Sequence, residues 1–120
     1  MNIVVTSTGK ELSSQLDNRF GRAKYFILYN TDDSTSSAHD NNMNLSAAQG
    51  AGIQAAQNVV DLGAEVVITG NCGPKAFRVL TTAKIKIYIA SNCTIQEALD
   101  SYSKNQLKEL NDSNVEGHWA

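Results

Sequence analysis

The chain is poor in cysteine, proline and aromatic residues. Its 120 residues include two cysteines, one proline and 7% aromatics. Two cysteines are too few for a disulfide scaffold, so we expect Cys72 and Cys93 to be free thiols in a reducing compartment. No apolar run approaches the roughly 18 residues of a membrane span, and no basic segment leads a long apolar one after Met1. We therefore expect no membrane span, no signal peptide and a cytoplasmic protein.

Neither sign of charge dominates the sequence. Lys and Arg number 10, Asp and Glu number 12, and the formal net charge is −2. So weak a field favours neither nucleic acid nor an anionic membrane as a partner. Apolar residues make up 42% of the chain and charged residues 18%, which is typical of one globular domain. We expect that domain to span residues 1–108 and a flexible tail to span 109–120, because the C-terminal residues lack a sustained period.

Hydrophobic periodicity predicts the order of helices and strands. Short apolar runs predict strands at "NIVVTST", "KYFILYN", "AEVVIT" and "IKIYIA", and "TSSAHD" is typical of a polar edge strand. Helical spacing predicts a first helix over 47–62 that Gly63 ends, followed by helices at "PKAFRVLTTA" and "TIQEALDSYSK". Capping boxes beginning at Ser46 and Thr94 support two of these starts. The sequence therefore predicts a layered α/β fold with a mixed five-stranded sheet and about three helices.

The stretch "GNCGPK" joins the fourth predicted strand to the second helix through an open corner. In α/β sheets, ligands usually bind beyond the carboxyl ends of the strands. Pro74 suits the first helical position, and Gly70 and Gly73 remove side-chain bulk from the approach. A bare helix N-terminus attracts anions, and Lys75 adds a positive charge nearby. A sharp turn without a ligand explains the same glycines, so the corner alone leaves both interpretations open.

Two other segments carry similar signals. Gly50 and Gly52 lie in the predicted first helix, where glycine costs roughly 1 kcal/mol relative to alanine. Either close backbone packing or the approach of a ligand would compensate for that cost. No Gly-Lys-Ser/Thr follows, so this is not a Walker motif. Arg19 and Arg22 lie close together in "NRFGR", where two guanidinium groups form either an anion clamp or a solvated surface.

Cys72 and Cys93 are the candidate metal ligands. Both follow predicted parallel strands, so both could face one site, and a thiol beside a helix N-terminus tends toward the thiolate that binds soft metals. Alternatively, each is a small buried apolar residue. The sequence lacks the common catalytic motifs. It has no GxSxG elbow. The first and fourth strands offer Thr6 and Thr69 where a two-metal nuclease needs carboxylates.

Four segments together resemble a known family. In this order and at these intervals, "RFGRAKYF", "AAQGAGIQAAQ", "GAEVVITGNCGPKAFRVL" and "IKIY" resemble the dinitrogenase iron-molybdenum cofactor biosynthesis family over residues 1–108. The resemblance implies a ribonuclease H-like three-layer fold without nuclease residues. It also implies a small non-enzymatic protein that binds or carries an anionic metal-sulfur cluster, of the iron-molybdenum or the molybdenum-copper sulfide type. Such a protein can also be isolated in its apo form.

The family motif implies a set of site residues. It carries over to Arg19, Phe20, Gly21, Arg22, Gly50, Gly52, Gly70, Asn71, Gly73, Pro74 and Phe77. With the residues of the open corner added, the expected cofactor-binding residues are Arg19, Phe20, Gly21, Arg22, Gly50, Gly52, Asn71, Cys72, Gly73, Pro74 and Lys75. The chain departs from many relatives where they carry a histidine, since it has Ala47, Ala48 and Gln49 there. This departure weakens direct metal coordination and favours the orange-protein side of the family.

Two other function classes remain open from the sequence. The chain could be a regulatory module that binds a partner ATPase or a cluster-assembly protein and has no cofactor of its own. It could also be an enzyme for a phosphorylated small molecule, although no general base is identifiable. We expect a monomer, or a weak dimer that forms through the polar edge strand.

Overall fold

The computed structural model of the protein describes residues 1–41 and 51–112. Within these ranges the chain forms six strands and three helices. The strands are β1 (Asn2–Ser7), β2 (Tyr25–Asn30), β3 (Thr35–Asp40), β4 (Val66–Thr69), β5 (Lys86–Ile89) and β6 (Lys108–Glu109). The helices are α1 (Ala51–Asp61), α2 (Pro74–Thr82) and α3 (Ile95–Ser103).

The strands form one mixed sheet in the order β3-β2-β1-β4-β5-β6. Strand β4 is parallel to β1 and β5, whereas β2, β3 and β6 are antiparallel to their neighbours. The predicted mixed sheet and the three predicted helices are therefore confirmed. The prediction of five strands is wrong, because Lys108 and Glu109 of β6 pair with Ile89 and Tyr88. Two residues are too few to show the alternation of a strand in the sequence.

Local signals account for most of the helix ends. Gly63 follows α1 with a φ of 79°, in the left-handed region that favours glycine, as predicted for the helix stop. The capping box of α3 is also confirmed, since Glu97 N donates to Thr94 Oγ1 at 3.2 Å and Thr94 N donates to Glu97 Oε1 at 2.8 Å. The predicted capping box at Ser46 lies outside the described residues.

Side chains of β1 alternate between two hydrophobic cores. Val4 packs into a cluster with buried residues of α1 and α2, including Val59 and Leu80. Ile3 and Val5 pack instead into a second cluster with buried residues of α3. Because neighbouring residues of a strand face opposite sides of the sheet, α1 and α2 cover one face and α3 covers the other, and the domain has three layers. None of the described helices is long and apolar enough to cross a bilayer.

Candidate functional site

Residues 8–24, which we call the edge loop, connect β1 to β2 and run along the carboxyl ends of the parallel strands. Leu16 N donates to Cys93 O at 2.9 Å, beyond the end of β5. Further along the loop, Phe20 N donates to Asn71 O at 3.1 Å, beyond the end of β4. The loop is thus anchored on the segments that follow both neighbouring parallel strands. Loops of this length in small domains are often functional, and this one lies where ligands of α/β sheets bind.

A buried hydroxyl pair fastens the middle of the edge loop to the sheet. Thr6 Oγ1 donates to Asp17 O at 2.7 Å and lies 2.9 Å from Thr69 Oγ1. The backbone completes the contact, because Asp17 N donates to Thr6 O at 2.9 Å. All three residues are buried. The two threonines, which stand where a nuclease would carry carboxylates, therefore hold the loop in place.

Gly70 is required by the edge loop. A Cβ atom at this position would lie 2.8 Å from both Cα and Oδ1 of Asn18 and 3.0 Å from its carbonyl oxygen. Real Cβ atoms essentially never approach backbone atoms so closely. The absence of a side chain at Gly70 is therefore explained by its packing against Asn18 of the edge loop.

The N-terminus of α2 has no side-chain cap. Gly73 is the N-cap residue, with a φ of −74° and a ψ of 168°, and Pro74 begins the helix as predicted. Arg19 forms a parallel bridge with Asn71, two residues before the N-cap, and the exposed Lys75 lies in the first turn. The first turn holds no acidic residue. This corner therefore combines the positive end of a helix dipole with two basic residues.

The two arginines differ in exposure. The side chain of Arg19 is 63% exposed, and its Nε lies 3.7 Å from Oδ1 of Asp17, which also accepts a hydrogen bond from Arg19 N at 3.0 Å. Arg22 is half-buried. Asn41 supports the backbone beside Arg22, because its Nδ2 donates to Ala23 O at 2.7 Å. Sequence reasoning missed Asn41, since a polar residue after a weak strand gives no sign that it is buried.

Phe20 and Gly21 belong to the interior of the domain. Phe20 is 1% exposed and lies 5.7 Å from Phe26 between ring centroids. Gly21 is also buried. Of the two predicted glycines of α1, Gly52 is buried and Gly50 lies outside the described residues. In "RFGR", the exposed Arg19 and the half-buried Arg22 therefore flank two buried residues, which anchor them.

Cys72 is fully buried and packs into the core beneath α1 and α2. Burial raises its pKa from 9.0 to about 12. A helix N-terminus typically stabilises an anion by about 1 kcal/mol, which is worth less than one pKa unit. Desolvation therefore outweighs the helix dipole and favours the neutral thiol, which supports the alternative that Cys72 is a small buried apolar residue.

Cys93 lies on the other side of the sheet. It is half-buried and packs against the cluster beneath α3. Its pKa is raised, first by burial and then by the negative charge of Glu97. The two thiols thus pack against separate cores and do not meet in one site. Across residues 1–41 and 51–112, no three His, Cys, Asp or Glu side chains are grouped so as to hold a metal ion.

Basic residues are concentrated at this edge of the sheet. The edge loop, the α2 corner and the segment after β5 hold five of the chain's ten basic residues and two of its twelve acidic ones. The basic residues are Lys10, Arg19, Arg22, Lys24 and Lys75. Lys10 and Lys24 were missed as candidates, although their positions at the two ends of one long loop could have identified them. An edge of this kind suits an anion.

A separate groove of about 340 Å³ lies between α2, β5 and β6. Phe77, Thr81 and Leu110 are among its lining residues. It lies away from the edge loop, so it adds nothing to the basic edge.

Comparison with known proteins agrees with the resemblance seen in the sequence. A family profile described as dinitrogenase iron-molybdenum cofactor matches residues 1–105. The apo form of the orange protein from Desulfovibrio gigas is 34% identical, with a TM-score of 0.93 over 95% of this chain and 96% of that chain. A candidate NifB protein from Thermotoga is 36% identical, with a TM-score of 0.84 over 95% of this chain and 97% of that chain.

A more distant relative has a lower identity to this chain. A protein of Methanocaldococcus jannaschii is 23% identical over 100 residues, which are 82% of this chain and 85% of the relative. The identities to the orange protein and to the candidate NifB protein are nearly equal, so identity alone does not separate these two kinds of relative. The backbone agrees better with the orange protein.

Proposed function

The chain belongs to the dinitrogenase iron-molybdenum cofactor family, and on that premise we propose that it is a non-enzymatic protein that binds or carries an anionic metal-sulfur cluster. The cluster is cargo, of the iron-molybdenum or the molybdenum-copper sulfide type. The proposed site is the carboxyl edge of the sheet, where the edge loop meets the N-terminus of α2.

The observation that carries the proposal is the concentration of basic residues at this edge. Half of the chain's ten Lys and Arg residues lie along this edge, and three of these five, Arg19, Arg22 and Lys75, belong to the "RFGR" segment and the α2 corner. Arg19 pairs with Asn71, two residues before the uncapped N-cap of α2, and Lys75 lies in the first turn of that helix. Hydrogen bonds from charged donors contribute roughly 1.5–3 kcal/mol each. A few such contacts, together with free helix amides, suit a sulfide cluster that carries negative charge.

The same site gives little covalent ligation among the described residues. Cys72 is buried with a pKa raised to about 12, and Cys93 packs on the other face of the sheet. We therefore propose that charge and backbone amides, more than thiolates, hold the cluster. Such binding is reversible, as a carrier requires, and explains how a protein of this kind can be isolated in its apo form.

The direct test is analysis of metal and acid-labile sulfide in protein purified without oxygen from its native host. We expect molybdenum, with iron or copper, in near-stoichiometric amounts with sulfide, and a visible absorption band from the cluster. Apo protein should regain that band on addition of tetrathiomolybdate with copper, or of iron-molybdenum cofactor. A colourless protein that takes up neither would overturn the proposal and favour the binding of a partner ATPase or cluster-assembly protein.

We also propose a fold type, a domain boundary, a cellular location and an oligomeric state. We propose that the three-layer fold is of the ribonuclease H-like type, which the strand order β3-β2-β1-β4-β5-β6 supports. We propose a single domain over residues 1–108, whose last strand extends one residue further to Glu109; of the predicted tail over 109–120, residues 113–120 lie outside the described residues. We further propose a cytoplasmic location and a monomer or weak dimer. Size-exclusion chromatography with light scattering tests the last of these.

A further inference from the structure

Two lysines from opposite ends of the edge loop meet at one tyrosine. Lys10 Nζ lies 5.7 Å from the centroid of the Tyr25 ring, and Lys24 Nζ lies 6.0 Å from the same centroid. The negative face of an aromatic ring attracts ammonium groups, by roughly 0.5–1 kcal/mol at exposed sites. Tyr25 thereby draws both ammonium groups toward one ring.

This group is separate from the corner at α2. Tyr25 pairs with Ser7 across β1, and by the alternation of β2 its side chain lies on the same face as Ile27. Ile27 packs into the core beneath α3. Phe20 and the start of α2 belong to the opposite face. The basic edge therefore has two parts, one on each side of the sheet.

In the part of the chain that the structure describes, neither lysine of this group forms an ion pair. Within residues 1–41 and 51–112, neither Lys10 nor Lys24 has an acidic side chain within 4.0 Å. The nearest acidic residues in sequence and register are Glu11, which follows Lys10, and Asp40, which pairs with Tyr25 from β3. Both ammonium groups lie within about 6 Å of one ring, so a small anion at the ring edge, on the side away from Asp40, is attracted by both charges.

We propose that Lys10, Tyr25 and Lys24 form a second anion subsite, which takes a small tetrahedral dianion of the thiometallate class. The two ammonium groups match the two negative charges and donate charge-assisted hydrogen bonds. The anion lies at the edge of the ring, since the ring face repels it and serves to hold the lysines in position. The identity of the anion rests on the proposed function, because a thiometallate is the building unit of a molybdenum-sulfide cluster.

The experiment is an NMR titration of the full chain with tetrathiomolybdate, the probe ion, under anaerobic conditions. We expect the ring signals of Tyr25 and the amide signals around Lys10 and Lys24 to shift. Lys10→Gln combined with Lys24→Gln should raise the apparent Kd obtained from these shifts by at least about tenfold. The matched control, Lys86→Gln with Lys104→Gln, removes two lysines elsewhere. It should leave the apparent Kd within about twofold of the value for the natural chain. Arg19→Ala with Lys75→Ala should also leave the Tyr25 response in place.

The role of the ring has its own control. Tyr25→Phe keeps an aromatic face and should bind the ion as the natural chain does, whereas Tyr25→Leu releases the lysines and should weaken binding several-fold. Equal affinity for the Leu and Phe variants would overturn the role of the ring.

The subsite and the proposed function fail in different ways. If Tyr25 does not shift while binding that depends on Arg19 and Lys75 persists, the subsite is overturned and the proposed function stands. If Tyr25 shifts as expected but the protein assembles no cluster when copper is added and takes up no iron-molybdenum cofactor, the subsite stands and the proposed function falls.

Discussion

The amide nitrogen of Phe20 donates a hydrogen bond to the carbonyl oxygen of Asn71 at 3.1 Å. This bond joins the "RFGR" segment to the corner before α2, which the sequence presents as two unrelated motifs. Because Phe20 is also packed into the core against Phe26, the position of Arg19 relative to α2 is fixed from below. The basic edge is therefore built on a rigid support, which favours precise positioning of charge.

Removing charge at the α2 corner should weaken anion binding without unfolding the protein. For Arg19→Ala with Lys75→Ala we expect the Kd for tetrathiomolybdate to rise by at least about tenfold, because two charged donors are lost. Both side chains are exposed, so the unfolding free energy should change by less than about 1 kcal/mol. Calorimetric titration measures the first quantity and urea denaturation the second.

The control for this pair is Lys86→Ala with Lys104→Ala. Lys86 begins β5, and Lys104 follows the end of α3 that lies near Met1, so both are away from the carboxyl edge. An equal loss of affinity in the control pair would show that overall charge, not the corner, attracts the anion.

Filling the space at Gly70 should displace the edge loop. Gly70→Ala places a Cβ 2.8 Å from the Asn18 backbone, and overpacking of this kind typically costs about 1–3 kcal/mol. We expect that loss in urea denaturation, together with weaker anion binding. Gly63→Ala is the matched control, because its φ of 79° also makes alanine costly. It should lose stability and bind the anion normally; impaired binding there would mean that stability loss alone explains the Gly70 result.

The buried hydroxyl of Thr6 should be worth more than an exposed one. Thr6→Val leaves the carbonyl of Asp17 without its side-chain donor, 2.7 Å away in the natural chain, and we expect a loss of about 1–3 kcal/mol in unfolding free energy. Thr81→Val removes a hydroxyl that bonds the carbonyl of Phe77 on the exposed face of α2. Its cost should stay below about 0.5 kcal/mol. Similar costs for the two variants would contradict a fastening role for Thr6.

The pKa of Cys72 predicts how stability depends on pH. The folded pKa, about 12, is above the value of 9.0 for an exposed thiol, so the stabilising difference is fully present below pH 9 and is lost as the pH rises toward 12. The unfolded chain releases a proton that the folded chain keeps, which costs ~1.4 kcal/mol per pH unit in this window.

The measurement compares the natural chain with Cys72→Ala, because lysines and tyrosines titrate in the same range in both. We expect the unfolding free energy of the natural chain to fall relative to the variant by roughly 1.4 kcal/mol between pH 8 and pH 10. Native protein should also react with iodoacetamide at Cys93 before Cys72. Parallel pH profiles, or faster alkylation of Cys72, would show that Cys72 is more accessible to water than its burial indicates.

The features that the sequence predicted well depend on local patterns. The Thr94 capping box and the stop at Gly63 each involve residues a few positions apart, so a short window contains the whole cause. The buried strands were predicted for the same reason, since a short run of β-branched apolar residues such as "VVIT" is typical of a buried parallel strand. The family resemblance added weight to Arg19 and Arg22, whose segment alone left both interpretations open.

The features that the sequence could not show depend on contacts between distant segments. Gly70 has its reason in Asn18, and the burial of Cys72 is decided by helices packed above it. The pairing of Lys10 and Lys24 around Tyr25 likewise exists only after β1 and β2 have paired. No window of the sequence contains both partners of such a contact.

The anchoring of the edge loop also determines when the basic edge can form during synthesis on the ribosome. Thr6 and Thr69 are 63 positions apart, and Leu16 is held by Cys93, still later in the chain. Contacts over such separations form late in folding, and the early loop has no partner until the distant segments have been synthesised. A nascent chain therefore presents no assembled basic edge until the segments up to Cys93 have been synthesised.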